Sequence, residues 1–127
     1  MRIRLETDAI QLILSHVRSS DLILIVSPVH DVEIGAIKDL TEREHLLSIL
    51  KQIGHRVSFD LKQTRKRAEQ LTQQRFGPAD AAHLAFAEEA EADFVTCDDR
   101  LLRQCRRVQP TVWFGTPVAF CDKENLQ

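Results

Sequence analysis

The stretch Gly77-Pro78-Ala79-Asp80-Ala81-Ala82-His83-Leu84-Ala85, continuing to Ala92-Asp93-Phe94-Val95-Thr96-Cys97-Asp98-Asp99-Arg100-Leu101-Leu102, decides the fold. Gly77-Pro78 breaks the chain, and the spacing after it predicts a helix from about Ala79 to Ala90. Asp80 falls in the first turn, where exposed backbone amides favour a negative side chain. Phe94 to Cys97 reads as a buried strand, with Cys97 as a small core residue. Asp98 stands at the carboxyl end of that strand, and Asp99 can cap a short helix through Arg103.

The same alternation extends upstream. Leu5 to Val17 places apolar residues at helical spacing. Leu22 to Val26 is a continuous apolar run, suited to a parallel strand covered on both faces. Ser27-Pro28 opens a short helix, with Ser as N-cap and Pro at the first helical position. Thr41-x-x-Glu44 reads as a capping box for a helix to Ile53, and Gly54 as its C-cap glycine. Arg56 to Phe59 predicts a short strand, Leu61 to Gln74 a charged helix, and Thr111 to Phe114 a last strand. One domain over residues 1–121 and a polar, frayed tail over 122–127 follow. Strands alternating with helices predict an α/β fold: a three-layer sandwich with a mostly parallel central sheet. Ligands collect at the carboxyl ends of strands in such sheets.

A length of 127 residues suits one domain, and 43% hydrophobic content allows a real core. The net charge of −2 carries no nucleic-acid signature. Its distribution says more. Lys51 to Arg75 holds seven Lys/Arg and two acids, whereas Asp80 to Asp99 holds seven acids and no Lys or Arg. Four arginines follow between Arg100 and Arg107. An acidic block between basic blocks fits a metal site with a polyanion-binding rim; solvated helix faces are the plain alternative. Three cysteines without C-x-x-C spacing suit free thiols in a reducing cytoplasm. No targeting segment is evident, and no apolar stretch approaches bilayer length.

Glu33, Asp80 and Asp98 are the candidate site residues. Each has a plain reading: a solvated helix residue, a helix N-terminal charge and a turn or cap residue. Ionised carboxylates held close together repel unless a hard cation joins them, and an all-oxygen site suits Mg²⁺ or Mn²⁺. Such an ion activates water and stabilises a phosphoryl oxyanion. His83, one turn after Asp80, could join the metal, but a packed, hydrogen-bonded role is the expectation.

The Asp80-Ala81-Ala82-His83-Leu84-Ala85 helix opening, followed by Thr96-Cys97-Asp98 at a strand end, resembles the PIN domain of VapC-type toxins. The closing Trp113-Phe114-Gly115-Thr116-Pro117-Val118-Ala119-Phe120 is similar to that family's last strand and its end. The resemblance implies an Mg²⁺- or Mn²⁺-dependent endoribonuclease, commonly the toxin of a toxin–antitoxin pair and often a homodimer. It implies Glu33, Asp80 and Asp98 as catalytic metal ligands, supported by Thr96 and Asp99. The family opens with a strand ending in Asp, and only Met1 to Arg4 precede the first helix here. Asp8 lies inside that helix and cannot replace it. The expectation is therefore a missing first strand, three carboxylates where four belong, weak metal binding and impaired activity. Unpaired sheet neighbours would close by rearrangement, strand swapping or a homodimer, unless the natural start lies upstream. The alternative is a non-catalytic remnant that binds an antitoxin-like partner or itself. RNA binding through Lys62, Arg65, Lys66, Arg67, Arg100 and Arg103 is another.

Overall fold

Helices and short strands alternate along residues 2–127, which a computed structural model describes. The order is α1 (Arg2–Arg18), β1 (Leu24–Val26), α2 (Pro28–Gly35), α3 (Leu40–Ile53), β2 (Gly54–Arg56) and α4 (Leu61–Gln73). Then come α5 (Pro78–Glu89), β3 (Phe94–Val95), α6 (Asp99–Val108), β4 (Phe114–Gly115) and α7 (Pro117–Glu124). The α/β alternation follows the sequence reading, with several boundaries displaced for local reasons.

Helix α3 is capped by Asp39, whose side chain accepts the Glu42 N–H at 3.0 Å, so the Thr41 capping box is not used. Gly54 is an extended residue rather than a left-handed cap (φ −75°, ψ 145°). It turns α3 straight into β2. A Cβ on it would lie 2.4 Å from both Leu50 O and Val26 Cγ2, so only glycine lets the helix end press against β1. Strand β2 accordingly starts at Gly54, two residues before the expected strand, and Phe59 is freed to meet Phe86 edge-on with centroids 4.7 Å apart. Asp60 caps α4 through the Lys62 and Gln63 amides.

The cap of α6 is Asp98, not Asp99, and the helix runs to Val108 rather than Arg103. Strand β4 lies later than expected, at Phe114–Gly115. Asp122 to Glu124 continue α7, which packs along α1, and beyond the helix the Leu126 amide closes on Cys121 O at 3.0 Å. No helix among the described residues is long and apolar enough to cross a membrane.

Two sheets form in place of the expected single central one. Strands β1 and β2 pair in parallel (Leu24 with Gly54, Val26 with Arg56), as do β3 and β4 (Phe94 with Phe114, Val95 with Gly115). Among the described residues no strand joins the pairs. The main core is therefore helix on helix. Leu71 of α4, Phe76 in the turn after it, Ala81, Leu84 and Ala85 of α5, and Leu101 and Cys105 of α6 are buried together, backed by Phe94 and Phe114. Between the pairs lies an open cleft of about 920 Å³. Ile23 lines that opening and is 70% exposed, where a strand covered on both faces was expected; Cys97 also is exposed rather than in the core.

Candidate active site

Ser27 and Thr96, which follow β1 and β3, line the cleft together with His30 and Glu33 of α2 and Asp80 and His83 of α5. Ser27 follows β1 and is buried; its N–H donates to His30 Nδ1 at 3.0 Å. Burial, and secondarily the nearby His83, hold His30 below its usual range. That keeps it neutral and able to accept at Nδ1. The His30 and His83 rings lie 4.9 Å apart at 56°. His83 is bonded through Nε2 to the Glu33 carboxylate, which ties α2 to α5. His83 thus takes a packed, hydrogen-bonded place.

Asp80 lies one turn before His83. Burial raises its carboxyl above the ordinary range, and the charges of Asp98 and Glu33 add to this; His83 and Arg100 offset part of it. Asp98 is exposed and caps α6 by accepting from the Arg100 and Leu101 amides at 2.9 and 3.2 Å, both on Oδ1. The Asp98 N–H donates to Thr96 Oγ1 at 3.1 Å, and the Thr96 N–H donates to Gly115 O at 3.0 Å. Thr96 therefore hangs the acid from the end of β3. Asp99 is the first residue of α6.

The structure places Asp80 within the fields of both Asp98 and Glu33, but it does not close the three into a cage. Among the described residues no three His, Cys, Asp or Glu side chains converge closely enough to hold a metal ion. At one corner His83 engages Glu33. In kind, the donors still fit a hard cation. All three are carboxylates, Asp80 is held against like charge that a cation would relieve, and the cap bonds of Asp98 fall on one oxygen only.

The basic residues divide. Lys62, Arg65 and Lys66 are exposed on α4, and Arg65 reaches Glu69 at 3.2 Å. Arg67 is partly buried and engaged within the fold. Its Nε and Nη2 donate to the two oxygens of Glu88 at 2.7 and 3.2 Å, and the Glu88 side chain is only 8% exposed. Arg100 lies close enough to Asp80 to act on its charge, and Arg103 is exposed on α6. His30 was not among the expected site residues; the Ser27-x-x-His30 spacing, a capping box with His in the acid's place, is the signal that marks it.

A family model for the PIN domain matches residues 4–107. The chain belongs to the PIN domain family. The match spans α1 through most of α6 and so takes in Glu33, Asp80 and Asp98 together. PIN domains have a nuclease-like fold and generally use divalent metals. No curated protein and no solved structure matches the chain.

Proposed function

We propose that this PIN domain is a metal-dependent endoribonuclease of the toxin–antitoxin kind, and that its activity is weak. The carrying observation is Asp80, a half-buried acid destabilised by burial and by two neighbouring carboxylates. Such an arrangement suits a site that works with a cation. Asp80 and Asp98 would hold Mg²⁺ or Mn²⁺, with Glu33 joining from α2, and the ion would supply water activation and oxyanion stabilisation. Arg100, Arg103 and the exposed Lys62, Arg65 and Lys66 would bind RNA phosphates. His83 limits the site by holding Glu33, which supports weak rather than strong activity. RNA and an antitoxin polypeptide would be its partners, together with a second copy as a homodimer. Three cysteines without C-x-x-C spacing, two of them buried, suit a cytoplasmic setting.

The test is calorimetric titration with MnCl₂ alongside RNA cleavage. Weak but saturable Mn²⁺ binding is expected, with slow cleavage that EDTA and Asp80→Asn both abolish. Cleavage that survives both would sink the mechanism. Absence of both binding and cleavage would favour a non-catalytic binding module, the reading that the lack of a closed donor cage supports.

A further inference from the structure

Helix α6 carries more positive charge than a cation site needs. Leu101, Leu102 and Cys105 bury one side of it, while Arg100, Arg103, Arg106 and Arg107 are all exposed. Arg100, Arg103 and Arg107 are three and four residues apart, so they share one side of the helix over about 10 Å of its length. Arg106 stands one turn after Arg103, beside that line. Like charges at these spacings destabilise a helix. The helix dipole offsets this only in the last turn, at Arg106 and Arg107. Arg56, Arg65 and Arg67 each pair with an acid, whereas among the described residues none of the four α6 arginines forms an ion pair with a carboxylate.

The turn after α4 extends the stripe. Arg75 is exposed there, in a left-handed conformation (φ 73°). Gln104 Nε2 donates to Arg75 O at 3.0 Å, and Arg107 Nη2 donates to Gln74 O at 2.7 Å. Both acceptors are neutral carbonyls, so they fix Arg107 without cancelling its charge. The same bonds set the backbone of Arg75 against the far end of α6. At the near end Asp98 caps the helix, and Arg100 acts on the charge of Asp80. The segment from Gln74 to Asp80 therefore runs beside α6, from the far end of the stripe to the candidate site. Gly77, Pro78 and Ala79 are exposed along it, and it holds no acid before Asp80.

We propose that this ledge, from Arg100 through Arg103 and Arg107 to Arg75 with Arg106 at its side, is a track for the phosphates of one RNA strand running away from the cut. The choice of RNA rests on the nuclease reading, and the track adds the class of substrate: an RNA that extends past the scissile phosphate on one side and is held there by its backbone. Continuity with Asp80 and Asp98 favours the substrate itself over an acidic polypeptide as the occupant. The ledge reads no sequence. Helix α6 has no aromatic residue and Phe76 of the turn is buried, so bases have no ring to stack on.

The test is fluorescence anisotropy of the full chain with labelled oligouridylates of increasing length, in EDTA. Wild type is compared with the double variant Arg75→Gln/Arg106→Gln, which spares the Arg107 bond and the residues around Asp98; equal urea midpoints check its fold. Wild-type affinity should rise with length, and the rise should stop sooner in the variant. On the longest oligomers the variant should bind about tenfold more weakly, and the slope of log K against log salt should fall by about 0.7 for each arginine lost. Oligoadenylates should show the same loss. Equal affinities and slopes for the two proteins on long oligomers would overturn the track and leave a solvated helix face. A loss that does not depend on length would overturn it too, as would polyglutamate competing as well as oligouridylate of equal charge. Binding is read without metal, so the nuclease reading can fail in its cleavage test while the length-dependent loss persists, and the reverse.

Discussion

At Asp80 a single side chain carries opposing demands, because a charge useful for holding a cation is costly in the empty fold. Its raised carboxyl fixes the sign of a pH effect. Well below the ordinary value of 3.8, Asp80 is protonated in both the folded and unfolded states. As pH rises through the range up to the raised value, the unfolded chain has lost the proton that the folded chain keeps, so stability falls. Above that range the whole penalty remains. Asp80→Asn should therefore show a higher urea midpoint than wild type at neutral pH, and the gain should vanish in acid. Asp98 separates two roles. Asn also caps helices well, so Asp98→Asn should leave stability near wild type, whereas Asp98→Ala should cost about 1 kcal/mol in denaturation. Both should weaken Mn²⁺ binding if the carboxylate is a ligand. The positions of Asp80 and Asp98 were legible because each depends on a local break, Gly77-Pro78 or a strand end. The capture of Glu33 by His83 was not, because it joins residues 50 apart and no local pattern records it.

Among the elements, the helices were easier to read than the strands, and Gly54 shows why. A helix of thirteen or fourteen residues repeats its apolar signal over several turns, as α3 and α4 do. Strands of two or three residues cannot, and tertiary fit sets their ends. Gly54 read as a helix cap, yet its role is to pass between Leu50 O and Val26 Cγ2. Gly54→Ala should destabilise the chain by about 2 kcal/mol in urea denaturation, since a backbone oxygen cannot move aside as a flexible side chain could. Hydrogen exchange should quicken first in β1 and β2. The caps carry the same lesson. Asp39 and Asp98 each prevailed over a neighbouring candidate, Thr41 and Asp99, and sequence spacing alone does not rank two adjacent capping residues.

For the molecule as a whole, the charge blocks that suggested a metal site with a basic rim are partly spent on each other. Arg67 of the basic block binds Glu88 of the acidic block, and the Asp60 amide donates to Glu89 at 2.6 Å. These bonds fasten α4 to α5 and leave fewer basic side chains unengaged on that face. The split of the sheet was legible only through the family resemblance, which implied unpaired sheet neighbours; the alternation alone implied one sheet, since both strand pairs are parallel and satisfy it. The closing helix was under-read as well. Phe120 is buried, with its ring 5.9 Å from Trp113, and Lys123 lies 5.2 Å from both rings. Phe120→Ala should cost about 3 kcal/mol, read as a lower denaturation midpoint, because a cavity opens where α7 meets α1.

The docking of α7 on α1 also sets an order of events during synthesis. Cys121 Sγ donates to Ala9 O at 3.6 Å across 112 positions of sequence, and His16 Nε2 meets Gln127 O at 3.3 Å across 111. Of the described helices, the first to be synthesised is thus completed by the last. Until α7 has emerged, the apolar stripe of α1 has no lasting cover, and the nascent chain must be kept from sticking to its neighbours by chaperones or by haste.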